Sequence, residues 1–163
     1  MKKILLLFFI FLTIDISSQE CSEFFLIRHA EKDRSDLKNK NPHLNELGKL
    51  RALKWVEVFK NIEFDKIYST NYYRTIETVT PVSKKLDLEI SIYIPSKFNY
   101  KNFLSENYTN KVLVVGHSNT IPNFVNRLIN DDFYDQINDL NNSNLYMVTI
   151  CNGVAKHNLL YIE

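Results

Sequence analysis

The order of apolar and polar residues divides this chain into short blocks. Phe24 to Ile27 is apolar throughout and reads as a buried strand, with Arg28, His29 and Glu31 at its end. Asp33 to His43 is polar and rich in Lys and Asn, which predicts a surface loop. Leu47, Leu50, Leu53, Val56 and Val58, with Trp55 and Phe59, then give a helix-like apolar face, and Asn45 stands where an N-cap is needed. Phe64 to Thr70 is a short strand ending in hydroxyls. Tyr72 to Leu86 reads as a second helix, with Ile76, Val79, Val82 and Leu86 on one face and Pro81 as a bend or a break. Leu88 to Ile94 alternates apolar with polar as a third strand that Pro95 ends, and Asn99 to Glu106 is a short helix. Lys111 to Gly116 is an apolar run suited to a parallel strand buried on both faces. His117 to Thr120 leads into a helix ending near Asn130, with Pro122 in its first turn. After a polar stretch, Asp131 to Ser143, two strands over residues 145–151 and 154–162 meet at Asn152-Gly153, a hairpin signal.

Strands alternate with helices from residue 23 to residue 130. This predicts an α/β three-layer sandwich: a mostly parallel central sheet, helices on both faces, and a C-terminal antiparallel hairpin at one edge. The 163 residues suffice for one such domain.

The first nineteen residues stand apart. Lys2 and Lys3 precede an apolar run from Ile4 to Leu12, and Ser17 and Ser18 follow, which is the layout of a secretory signal peptide. The run is shorter than the roughly 20 apolar residues of a membrane span. The expected division is therefore a signal peptide over 1–19 and a domain over 20–163, exported to the periplasm or secreted. Gln19 and Glu20 before Cys21 do not resemble a lipoprotein box, which argues against a lipid anchor there. An oxidising compartment would permit a bond between Cys21 and Cys151, but two unpaired thiols are the expectation, because sequence supplies no bridging geometry. No Cys/His spacing suggests a zinc site, and no cofactor is implied.

Composition is that of an ordinary globular protein, 45% hydrophobic and 24% charged. The net charge of +1 falls to about zero without Lys2, Lys3 and Asp15. That balance excludes a broadly basic surface for nucleic acid or an anionic membrane. Anion binding must come from a local cluster. Arg28 and His29 end the first strand, Arg74 opens the helix after the second, and His117, Ser118 and Asn119 follow the apolar strand near residue 115. In an open α/β sheet these strand ends lie together where ligands bind. Arginine forks and helix N-termini suit the oxygens of a phosphoryl group, and an imidazole can attack phosphorus. Taken singly, His29 would be a core histidine, Arg74 a solvated charge, and Ser118 and Asn119 helix caps. The predicted partner is a small phosphorylated molecule.

Four segments carry a resemblance: FLIRHAEK from Phe25, LNELGKLRA from Leu44, YSTNYYRTIETV from Tyr68, and VVGHSNTIP from Val114. In that order they resemble the signature segments of the histidine phosphatase superfamily, the phosphoglycerate-mutase-like enzymes. The short chain looks most like the compact, phosphohistidine-phosphatase-like branch. The resemblance implies a metal-independent phosphatase acting on phosphoesters or phosphoramidates. His29 would be the nucleophile, phosphorylated and then hydrolysed. Arg28, Arg74 and His117 would clamp the phosphate oxygens, Ser118 and Asn119 would add contacts, and Glu31 would be structural. One departure stands out. Many members carry a general acid after the third strand, but Tyr93 to Phe103 contains no carboxylate. Glu106, Glu89 and Glu31 are the nearest candidates. The gap motivates the alternative of a catalytically weak module that binds phospho-ligands. A phosphohistidine relay protein is a third reading, which an exported chain suits poorly.

Overall fold

The computed structural model describes residues 20–163. The expected signal peptide over 1–19 lies outside the described residues. The elements follow in the order β1 (Cys21–Arg28), α1 (Glu46–Val58), β2 (Lys66–Thr70), α2 (Tyr73–Leu86), β3 (Ile90–Tyr93), a 3-10 turn (Pro95–Lys97), α3 (Tyr100–Glu106), β4 (Lys111–Gly116), α4 (Thr120–Ile129), β5 (Asn144–Cys151) and β6 (Val154–Tyr161). Among the described residues no helix is long and apolar enough to cross a membrane.

One six-stranded sheet runs β3-β2-β4-β1-β5-β6. The first four strands are parallel, and β5 and β6 run antiparallel at one edge. The central strands are apolar on both sides because helices cover both sides. Phe24, Leu26, Val112 and Val114 point to a core shared with Phe103 of α3 and Phe124 of α4. Phe25, Ile27, Leu113 and Val115 point to the opposite core, with Trp55 of α1 and Val79 and Val82 of α2. The expected three-layer sandwich is the fold observed.

The buried face of α1 corrects the sequence expectation. Leu47, Leu50 and Leu53 are 57%, 64% and 57% exposed, while Gly48, Ala52, Trp55 and Phe59 face inward. The cause is a close approach: a Cβ on Gly48 would lie 2.1 Å from the carbonyl oxygen of Glu31. Only glycine lets the helix sit against the loop after β1, and that contact sets the rotation of the whole helix. Asn45 caps α1 as expected, accepting from the Gly48 N–H at 2.8 Å. Pro81 neither bends α2 into two nor ends it, since the helix continues to Leu86.

Cys21 and Cys151 are paired in a disulfide, against the expectation of two free thiols. The antiparallel register of β1 on β5 places them directly opposite, with Cα atoms 4.3 Å apart. A register between strands 130 residues apart is a tertiary property, so the spacing in sequence gave no sign of it. The hairpin turn at Asn152-Gly153 has positive φ at both residues, as its sequence predicts.

Candidate active site

β1 and β4 are parallel neighbours whose connections leave in opposite directions. The chain after β1 goes to α1 on one face, and the chain after β4 goes to α4 on the other. Such a divergence opens a crevice at the carboxyl ends of the strands. A cavity of about 680 Å³ lies there, lined by Arg28, His29, Arg74, His117, Ser118 and Asn119 among others. The structure thus brings all six sequence-derived candidates to one place.

His29 is buried just past the end of β1. Its backbone N–H donates to the Gly116 carbonyl at 2.9 Å, and its own carbonyl accepts from the Asn142 amide at 2.7 Å. Its ring Nδ1 donates to the Ala30 carbonyl at 2.8 Å. That bond places the proton on Nδ1 and leaves Nε2 as a lone pair, with no protein partner among the described residues. Burial lowers its pKa from 6.5 to about 3, and the charges of Arg28 and Arg74 act the same way against the Ala30 bond. The ring is therefore neutral at physiological pH, as a nucleophile must be.

His117 faces it across 5.5 Å between ring centroids. Arg74 Nη2 approaches His117 Nδ1 at 3.4 Å, so Nε2 carries the proton and donates to Thr70 Oγ1 at 2.9 Å. Thr70 in turn donates to Thr75 Oγ1 at 3.0 Å, which donates to backbone carbonyls. Sequence reasoning saw only a strand ending in hydroxyls and did not assign Thr70 and Thr75 this positioning role. Their signal was present: two threonines on a helix and a strand end that bury polar atoms need partners. Burial first, and then the positive charge of Arg74, lowers the His117 pKa to about 4.

The two arginines differ in what holds them. Arg28 donates through Nη1 to the carbonyls of Asn138 and Asn141, each at 2.9 Å, and through Nη2 to Asp139 at 2.6 Å. Its terminal nitrogens are thus engaged by the 138–141 loop. Arg74 lies over the Tyr72 ring, 4.4 Å from its centroid. In both side chains Nε is buried without a hydrogen-bond partner. Both side chains line the cavity and bring two guanidinium charges to it, which is what an oxyanion would need. Ser118 and Asn119 line the cavity, but α4 begins at Thr120 and Asn119 makes no side-chain cap bond. The cap bond at this turn comes from Thr120, whose Oγ1 accepts from the His117 N–H at 2.9 Å.

None of the three carboxylates considered as proton donors reaches the cavity. Glu31 is paired with Arg51 at 2.8 Å. Glu89 and Glu106 sit at the opposite end of the sheet, before β3 and beside Lys66 at the start of β2. The cavity's carboxylate is Asp139, a residue the sequence reading left in a polar loop. Burial pushes its pKa up, but hydrogen bonds from Arg34 and Arg28 outweigh this and hold it below the usual range. It stays ionised and positions Arg28. Among the described residues no group of three or more His, Cys, Asp or Glu is placed to hold a metal ion.

The two lowered imidazoles make stability depend on pH. Unfolded histidines titrate near 6.5 and the folded ones near 3 and 4, so the unfolded chain takes up protons first as pH falls. Their contribution is complete above pH 6.5 and is lost on acidification towards the folded values. Between pH 6.5 and 5 the unfolding free energy should fall by up to about 1.4 kcal/mol per pH unit for each histidine. Urea titrations at several pH values check this, and His117→Asn should remove its share of the slope.

Residues 24–94 match the family model of the histidine phosphatase superfamily (branch 1). Solved structures share the fold. A mycobacterial glucosyl-3-phosphoglycerate phosphatase aligns with TM-score 0.70 and 11% identity over 88% of this chain and 100% of its own. A phosphoglycerate mutase from Bacillus anthracis aligns with TM-score 0.68 and 14% identity over 87% and 93%. The protein histidine phosphatase SixA, complexed with tungstate, aligns with TM-score 0.65 and 16% identity over 85% and 96%. No curated protein matches this chain in sequence. The family match reaches through the first three of the four segments that carried the resemblance, and the shared fold spans the fourth.

Proposed function

We propose that this chain is a phosphatase of the histidine phosphatase type, working through a phosphohistidine on His29 without a metal. The observation that carries the reading is the pairing of a neutral, tautomer-fixed His29 with two arginines that line the same cavity. Arg74 and Arg28 hold the phosphoryl oxygens. His29 Nε2 attacks phosphorus, the N–P bond forms and the leaving group departs with its electron pair. Water then attacks phosphorus and returns the pair to Nε2. His117 accepts from Arg74 through Nδ1 and so orients that guanidinium, which meets charge on the phosphoryl group as it develops. Such electrostatic contributions are typically worth about 3–4 kcal/mol per donor. The protein histidine phosphatase SixA, with its bound tungstate, is a neighbour in fold that suits this reading. Export is part of the proposal, supported by the Lys-Lys-apolar start of the sequence and by the Cys21–Cys151 bond, which persists in oxidising compartments.

The test is trapping of the intermediate. Denaturing quench during turnover of a labelled aryl phosphate in EDTA is expected to yield a phosphoenzyme stable to base and labile to acid. A phosphoenzyme of the opposite lability, or activity that EDTA removes, would count against the mechanism. The alternative of binding without turnover draws on the missing proton donor. It predicts saturable phosphate binding with no product released from any phosphoester or phosphoramidate.

A further inference from the structure

A second cavity of about 260 Å³ opens beside the first. Tyr93, Pro95, Asn119 and Thr120 line both, so the two are adjacent and share a wall. Beyond these, Tyr100, Asn123 and Phe124 close the smaller space, and no charged side chain lines it. Three of its lining residues are aromatic: Tyr100 is half-buried and offers a free ring surface, while Tyr93 and Phe124 are packed into the core behind it. The amides of Asn119 and Asn123, one helical turn apart, make no side-chain hydrogen bond among the described residues. A space with one aromatic ring, a proline and free amide edges fits a flat, uncharged ring with polar atoms on its rim.

The chemistry of the main cavity points the same way. Departure of an alkoxide needs a donated proton, and neither the cavity's carboxylate nor its buried phenol is fitted to supply one. Asp139 is held ionised by two arginines, and the buried Tyr93 phenol is a weaker acid than usual. A phenolate is a far weaker base than an alkoxide, since tyrosine's phenol titrates at about 10. It leaves with its own electron pair and takes its proton from water.

We propose that the smaller cavity is the leaving-group subsite and that it selects aryl phosphate monoesters, with the ring seated between Tyr100, Pro95 and the two asparagines. This rests on the phosphatase reading. The reaction balances as follows: the P–O(aryl) bond breaks as the His29 N–P bond forms, and water then yields phosphate and the free phenol.

The experiment compares phenyl phosphate with cyclohexyl phosphate and phosphoramidate, which has no ring, on wild type, Asn123→Phe and Tyr100→Ala. Asn123 is exposed on α4, so Asn123→Phe fills the space without disturbing the core. Its KM for phenyl phosphate should rise at least about tenfold more than its KM for phosphoramidate, and Tyr100→Ala should shift the same ratio in the same direction. Equal effects on both substrates, or no effect, would overturn the subsite while leaving the phosphatase reading standing. If wild type hydrolyses none of the three, both fall together.

Discussion

Replacing His29 with alanine is expected to reduce turnover of any phosphorylated substrate by at least about 10³-fold, the scale on which removal of a covalent nucleophile acts. The reason is specific to its placement. The Nδ1 bond to Ala30 leaves Nε2 the only atom of the ring with a free lone pair, and burial keeps that pair unprotonated. Neither His117 nor Asp139 can substitute. The Nδ1 of His117 faces Arg74 and its Nε2 is bonded to Thr70, and Asp139 is bound by two arginines. Both arginines remain in the variant, so phosphate binding should survive while chemistry is lost. Steady-state rates with phenyl phosphate, paired with a phosphate-binding titration, separate these two effects. An alanine variant with wild-type turnover would end the mechanism proposed. Loss of both binding and the thermal unfolding transition would instead indicate a damaged fold.

Loss of the disulfide should have the largest effect on stability. Cys21 and Cys151 close nearly the whole domain, at a sequence separation of 130. In the chain-entropy account a loop of that length stabilises by about 5 kcal/mol. That is a large share of the roughly 5–15 kcal/mol that holds a domain folded. The bond also ties the start of β1 to the end of β5, and β1 carries Arg28 and His29 at its other end. The Cys21→Ser, Cys151→Ser double variant should therefore unfold at a much lower urea concentration than wild type. Wild type in reducing agent should fall to the same midpoint, because both lack the same cross-link. An unchanged midpoint in either case would show that strand pairing alone holds this edge. The expected loss links stability to location, since a domain that depends on this bond reaches full stability only where thiols are oxidised.

Much of the fold was legible in the sequence for local reasons. A four-residue apolar run bounded by polar residues, or a 3.6-residue spacing, reports the hydrogen-bonding geometry of a segment without reference to the rest of the chain. Thus β4, α2 and the Asn152-Gly153 hairpin appear where the pattern puts them. The site was legible for a related reason. Arg28, His29 and His117 follow directly on buried strands, and the ends of adjacent parallel strands lie side by side. The sequence by itself therefore determined the element order, the layered architecture and the side chains that meet in the crevice.

Only the tertiary structure decided the rest, because each remaining feature depends on contacts between distant segments. The leucines of α1 face outward because Gly48 must meet the backbone of Glu31, a contact that outweighs the helix's own apolar spacing. The cysteines pair because of the register of β1 on β5. Arg28 gives up its terminal nitrogens to a loop 110 residues away, and Asp139 in that loop becomes the cavity's carboxylate. The smaller space beside the cavity exists because α3 and α4 bring Tyr100 against Phe124 on one face of the sheet. Local pattern fixes which side chains a segment carries, whereas packing fixes which of them face each other.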